Sequence, residues 1–240
     1  MTQPYLEAQG CVGVQVHSTA IVDAGARLGD EVFVGPYAII GPGVSVGAGT
    51  TIGSHVLVER DTTLGEQCQI AQGAVLGSDP QDLKYEGEAS HLYVGDRTVV
   101  REYATLNRGT RASRKTVVGS DCLIMAYAHV AHDCEIGNHV ILSNAVNMAG
   151  HVVIEDWVII GGLTAIHQWV RIGAHSFCGG GSRIPQDIPP YLRVAGNPAS
   201  LYGLNTVGFE RRGVSEEVKR ALKKAYRTLF QSKLNLSKAL

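Results

Sequence analysis

Residues 34–53 read Val34-Gly-Pro-Tyr-Ala-Ile-Ile40-Gly-Pro-Gly-Val-Ser-Val46-Gly-Ala-Gly-Thr-Thr-Ile52-Gly53, with an aliphatic residue followed by glycine at every sixth place. A helix returns its apolar residues at three and four and a strand at two, so neither sets a beat of six. The beat runs outward from Val16 to Leu76, continues through Val94, Val100 and Leu106, and resumes from Val118 to Ile184. Four places after each aliphatic stands a small or β-branched residue, as at Ala20, Val32, Ala38, Thr50 and Cys68. A six-residue period marks a parallel β-helix. Each hexad supplies a short strand and a tight turn, and three hexads close a triangular coil with aliphatic corners pointing inward. Coils then stack about 4.8 Å apart, the spacing of hydrogen-bonded strands. The recurrent glycines are expected to supply turn conformations that a Cβ would oppose.

The chain of 240 residues divides, on this reading, into a β-helix over 1–192 and a C-terminal segment over 193–240 with one amphipathic helix. Net charge is −1 and aromatics are 6%, so no basic field points to nucleic acid. Residues 1–10 lack the charged and apolar blocks of a leader, and no apolar run reaches membrane-spanning length. A cytoplasmic protein without stable membrane insertion is expected. Of the five cysteines, Cys68, Cys122, Cys134 and Cys178 fall on the repeat and read as small core residues, while Cys11 precedes it.

The beat fails in two places. The segment Gly77-Ser-Asp-Pro-Gln-Asp-Leu-Lys-Tyr-Glu-Gly-Glu-Ala-Ser90 is polar, and solenoids extrude such insertions on one face, often the binding face. The shorter break from Gly109 to Thr116 reads as a solvated excursion. Pro185, Pro189 and Pro190 are expected to end the stacking. Further on, Ser215 with Glu216 and Glu217 reads as a helix N-cap with acidic first-turn residues. Val218, Leu222, Ala225, Tyr226 and Leu229 form the apolar stripe of that helix, and Lys219, Arg220, Lys223, Lys224 and Arg227 its basic face.

One coil is eighteen residues, so His132, Gly150 and Gln168 share one column, with His151 and His167 beside it. Core packing does not explain such clustering, because the aliphatics already fill the interior. His132 with Asp133 suits general-base work, the carboxylate fixing the tautomer, provided a turn brings these sequence neighbours together. Gly150 would present a backbone N–H to a developing oxyanion. Base and oxyanion donor in one column describe acyl transfer to a hydroxyl. No Ser or Cys sits in a nucleophile elbow, so direct attack by a substrate hydroxyl fits better than an acyl-enzyme. No histidine trio has the spacing of the hexapeptide-repeat carbonic anhydrases, so neither metal nor cofactor is expected.

At these residues the chain resembles the acyl-ACP–UDP-N-acetylglucosamine O-acyltransferases that begin lipid A synthesis. The resemblance rests on the hexads, Gly77-Ser-Asp-Pro-Gln-Asp-Leu-Lys-Tyr85, Ala128-His-Val-Ala-His-Asp-Cys134, Ala149-Gly-His151, Ile160-Gly-Gly-Leu-Thr-Ala-Ile-His-Gln168, Gln186-Asp-Ile-Pro-Pro-Tyr191 and Gly208-Phe-Glu-Arg-Arg-Gly213. It implies a left-handed helix and a homotrimer with active sites between subunits. It also implies acyl carrier protein as donor and UDP-N-acetylglucosamine as acceptor. His132 becomes the base for the sugar 3-hydroxyl, Asp133 its partner and Gly150 the oxyanion donor. Asp82, Lys84, His129, His151, His167 and Gln168 surround sugar, phosphates and thioester, Asn205 and Arg211 meet the nucleotide, and Gly180 sets acyl length. The same chemistry on a UDP 3-amino sugar, a related N-acyltransferase and a catalytically silent scaffold remain as alternatives.

Overall fold

The structure, a computed structural model, describes the strand Tyr5–Glu7 and residues 13–232, 234 and 235. Cys11 lies outside them. Each hexad forms a two-residue strand that ends on its aliphatic, as in Phe33–Val34, Ile39–Ile40 and Ser45–Val46. These three strands enter three different sheets, of twelve, nine and eight strands respectively, and the next hexad returns to the first. The chain thus winds round a three-sided solenoid. Its register is one coil: Val34 lies opposite Ile52, and Ile124 opposite Leu142.

Both the aliphatic and the residue four places later face inward, and Val34, Ala38, Ile40, Val44, Ile52 and Val56 are all essentially buried. Each large aliphatic contributes roughly 1.5–3 kcal/mol on burial, and the contribution recurs at every coil. Cys68, Cys122, Cys134 and Cys178 lie within this stack as free thiols. Burial pushes Cys122 up to about 11 and Cys134 and Cys178 to about 12, which removes them from thiolate chemistry.

The hexad works differently from expectation in two respects. The aliphatics lie on the flat faces, whereas the corners are two-residue turns such as Pro42-Gly43 and His132-Asp133. Nor, Gly77 at φ +79° apart, does the glycine after each aliphatic supply left-handed backbone. That conformation falls to the residue two places further on, including Tyr37, His55, Asp133, His151 and Trp169, with φ of 58°, 56°, 59°, 62° and 68°. None of the described non-glycine residues in this conformation is Val, Ile or Thr, whose branched Cβ would be most strained there. The glycines after the aliphatics serve close approach instead. A Cβ on Gly35 or Gly47 would come within 2.9 Å or 2.5 Å of the next coil's backbone.

The prolines do not end the stack. Ile188 still bridges to Ile172, and Leu192–Ala195 joins the twelve-stranded sheet beside Phe177–Cys178. They shorten that coil by two residues, because Arg193 lies opposite Phe177. The sheet then continues into Ser200–Leu204, so position 192 falls at the start of a strand paired on both sides. Beyond it lie α1 (Thr206–Arg211), which hydrophobic periodicity does not reveal, and α2 (Glu216–Tyr226), capped by Ser215 as expected. Leu222, Ala225, Tyr226 and Leu229 turn toward Pro189, Tyr191, Leu192 and Leu204 at the end of the solenoid. No helix among the described residues is long and apolar enough to cross a membrane.

Candidate active site

The two insertions leave the solenoid at the same edge. Segment 79–90 connects Val75–Ser78 of the nine-stranded sheet to His91–Val94 of the eight-stranded one. Segment 108–114 makes the same passage between Thr105–Asn107 and Lys115–Val118. The turns His132-Asp133 and Gly150-His151 lie on that edge, in successive coils: His151 N–H donates to His132 O at 3.1 Å, and Trp169 N–H to Gly150 O at 3.3 Å.

The turn that sequence alone left open brings His132 and Asp133 together. Asp133 takes the left-handed corner, and His132 Nδ1 lies 2.7 Å from Asp133 Oδ2. The Asp133 side chain is fully buried. It accepts from Thr110 N–H at 3.0 Å, Thr110 Oγ1 at 2.7 Å, Ser113 N–H at 3.2 Å and Ser113 Oγ. Burial alone would raise its pKa. Hydrogen bonds from His132, Ser113 and Thr110 outweigh that and hold the carboxyl well below the ordinary range. An ionised Asp133 only accepts, so His132 Nδ1 carries the proton of this bond, and in the neutral imidazole the lone pair is on Nε2.

Gly150 lies directly against that imidazole. A Cβ on Gly150 would sit 2.5 Å from His132 Cε1 and 2.7 Å from Nε2, so only glycine admits this approach. Its N–H donates to no other group among the described residues. His151 meets His132 edge-on at 5.2 Å between ring centroids and stacks flat on Trp169 at 3.9 Å. Burial lowers the pKa of His151, against the opposing pull of Asp133, and burial followed by His132 lowers that of His129. His129 Nδ1 lies 2.7 Å from Thr105 Oγ1. His167 and Gln168 are exposed on the same edge, and Asp82 and Lys84 extend from the first loop, where Asp82 Oδ1 accepts from Lys84 N–H at 3.0 Å.

His132, Asp133 and His151 place three potential metal ligands within 4.8 Å of one another. The donor set fits an ion poorly. Asp133 Oδ2 is already taken by Thr110 and His132, and a 2.7 Å spacing to His132 Nδ1 is too short for two ligands of one ion at about 2.0–2.2 Å each.

Three candidates lie elsewhere in the chain. Gly180 belongs to the turn Gly180-Gly181, on the edge between the twelve- and nine-stranded sheets. Asn205 and Arg211 line a cavity of about 590 Å³ against Leu123, Ile141, Ile159 and Phe177. Those four residues belong to the twelve-stranded face, opposite the His132 edge. Asn205 is buried and caps α1, accepting from Gly208 N–H at 3.1 Å and donating to His175 O at 2.9 Å. Arg212 lies 5.2 Å over the Trp157 ring and donates to Trp157 O at 2.7 Å.

Sequence reasoning missed Thr110 and Ser113. The second insertion is only half a solvated excursion: Arg111, Arg114 and Lys115 are exposed, but Thr110 and Ser113 beside them grip the Asp133 carboxylate. Register supplies the signal that finds them. Val118 stacks under Ile136, so whatever leads into Val118 lies beneath the turn leading into Ile136.

A three-sided parallel solenoid with a carboxylate-held histidine on one edge defines a hexapeptide-repeat transferase. The bacterial transferase hexapeptide model matches residues 25–60 and 115–150, and the model for UDP N-acetylglucosamine O-acyltransferase, domain 2, matches 187–240. The acyl-[acyl-carrier-protein]–UDP-N-acetylglucosamine O-acyltransferase of Chlorobaculum tepidum is 62% identical over 94% of this chain and 86% of its own length. That of Syntrophobacter fumaroxidans is 48% identical over 95% and 89%. Among solved structures, the UDP-N-acetylglucosamine acyltransferase of Bacteroides fragilis superposes with a TM-score of 0.92 at 38% identity, covering 93% of this chain and 88% of that one. The Francisella novicida enzyme gives 0.92 at 36%, with 93% and 83% covered. The chain therefore belongs to the acyl-[acyl-carrier-protein]–UDP-N-acetylglucosamine O-acyltransferase family, is an acyltransferase, and has that family's left-handed β-helix.

Proposed function

We propose that the protein transfers a (R)-3-hydroxyacyl chain from acyl carrier protein to the 3-hydroxyl of UDP-N-acetylglucosamine, the first step of lipid A synthesis, in the cytoplasm. The observation that carries this reading is the His132–Asp133 pair, its Nε2 lone pair unspent and Gly150 closed against it. His132 Nε2 takes the proton of the sugar 3-hydroxyl as that oxygen attacks the thioester carbonyl. The charge moves to the carbonyl oxygen, beside the Gly150 N–H. Collapse of the adduct forms the ester, breaks the C–S bond and returns the proton from His132 to the departing thiolate. His151, His129, His167, Gln168, Asp82 and Lys84 hold the acceptor and thioester on the same edge.

Asn205 and Arg211 are assigned to the nucleotide, with the Arg211 guanidinium suited to phosphate oxygens. In one chain they stand on the face opposite His132, so the reading requires another copy: a homotrimer in which one subunit's His132 edge meets a neighbour's twelve-stranded face. Gly180 then borders the groove for the acyl chain. Lys219, Arg220, Lys223 and Lys224 offer the acidic carrier protein a cationic face on α2. Mass spectrometry of products from UDP-N-acetylglucosamine and a panel of 3-hydroxyacyl carrier proteins tests the assignment. An O-acylated nucleotide sugar is expected. Turnover only with a 3-amino sugar would replace this reading by N-acyl transfer.

A further inference from the structure

Arg108 is a cation 1% exposed, set just after the strand Thr105–Asn107 on the edge that carries His132. Charged side chains are almost never fully buried unless paired, and the partners of this one include the end of the strand Val75–Ser78, at Gly77, and two residues of the loop that follows it, Asp79 and Tyr85. Its guanidinium donates to Gly77 O, to Asp79 Oδ1 and, at 3.1 Å, to Tyr85 OH, with Glu59 Oε2 3.9 Å away. The neighbouring Asn107 donates to Asp79 O at 2.9 Å. The loop between these anchors projects into solvent, with Leu83 wholly exposed. Asp82 and Lys84 flank that leucine, and the hydrogen bond fixing Asp82 comes from within the loop itself. The position of the tip therefore depends on its two feet, Gly77 with Asp79 on one side and Tyr85 on the other. Arg108 holds both.

We propose that Arg108 is a positioning residue for acceptor binding, setting where Asp82 and Lys84 stand relative to His132 and His151. The proposal rests on the reading that this loop meets the nucleotide sugar. Arg108 itself reaches no atom of the His132–Asp133–Gly150 site, and a planar cation suits the task because its fork serves several acceptors at fixed angles. Its loss would leave the carbonyl of Gly77 without a charged donor and the carboxylate of Asp79 with only Arg60 as a charged partner, 3.5 Å away at the surface, and the loop would be held less firmly.

The test compares Arg108→Met, Arg108→Lys, Tyr85→Phe and Lys84→Met in the full chain, with the acyl carrier protein donor saturating and the nucleotide sugar varied. Arg108→Met is expected to raise the KM for UDP-N-acetylglucosamine by at least ~10-fold, as for one lost hydrogen bond to a charged group. Its kcat and the KM for the acyl donor should stay within about threefold, because the chemical step is intact. Arg108→Lys should recover part of the loss. Tyr85→Phe removes the hydroxyl that accepts from Arg108 and donates to Asp79 and Glu88, without burying an unpaired charge; it should raise the same KM a few-fold, and it decides the matter if Arg108→Met does not fold. A fall in kcat with KM unchanged, or no change in Tyr85→Phe and folded Arg108→Met, would overturn the proposal. Lys84→Met separates the two levels: if it leaves KM unaltered, the loop is not an acceptor contact and both readings fall, whereas if it raises KM and the Arg108 and Tyr85 variants do not, Arg108 alone is excluded.

Discussion

Asp133 concentrates the electrostatics of the site in one buried carboxylate with five hydrogen-bond donors. Its depressed pKa means that these bonds contribute stability fully present above the unfolded value near 3.9 and lost as pH falls through the folded value. Ser113→Ala removes one hydroxyl donor, and a hydrogen bond to a charged group is worth about 1.5–3 kcal/mol. We expect the variant to melt below wild type by a constant interval from about pH 5 downward to the depressed folded values, and the interval to close only as the Asp133 carboxyl takes up its proton. An interval unchanged across that protonation, followed by calorimetry beside an NMR titration of the carboxyl, would show that Ser113 serves packing and not the carboxylate. At this scale His132, Asp133 and Gly150 were legible, since an eighteen-residue coil converts positions into columns. Thr110, Ser113 and Arg108 were not, because their partners lie twenty or more residues away across insertions that break the count. A buried Arg also reads from sequence as one more surface cation.

Within the hexad, two glycine positions have different duties, and substitutions separate them. Gly47 follows its aliphatic, and a Cβ there would stand 2.5 Å from the Gly65 backbone, which has no freedom to retreat. Gly49 occupies the left-handed corner at φ +68°, where the nearest atom to an added Cβ is the Gln67 Cγ at 3.4 Å. Gly47→Ala should therefore cost more than about 2 kcal/mol, in the range of overpacked cores. Gly49→Asn should cost less than about 1 kcal/mol, because Asn visits that region readily. Denaturant midpoints of the two variants measure the contrast, and equal losses would contradict the division of labour. The strands and α2 were readable from periodicity and the Ser215 cap. The short α1 escaped because six residues make fewer than two turns, although Asn205 three places before Gly208 was a visible cap. The prolines misled for a physical reason: all three fall outside the strands of the shortened coil, Pro185 just after Arg183–Ile184, Pro189 just after the bridged Ile188 and Pro190 in the turn that follows.

Across the whole molecule, the six-residue beat disclosed the solenoid almost completely, and the family resemblance disclosed the chemistry. What one chain cannot display is the site as a working unit. His132 lies on one edge and the residues assigned to the nucleotide on the opposite face, so the account requires that neighbouring subunits complete each other. The most direct measurement is complementation between two impaired variants. His132→Ala alone should lose at least ~100-fold in turnover, as for a missing general base, while keeping the wild-type melting temperature. Arg211→Ala should be impaired at subsaturating nucleotide sugar. Co-expressed at equal levels, the two form mixed trimers in which about one site in four pairs an intact His132 with a neighbour's intact Arg211, as symmetry and random assortment require. Activity near a quarter of wild type in the mixed preparation is the predicted result, and activity no greater than the average of the two variants alone would contradict a site shared between subunits.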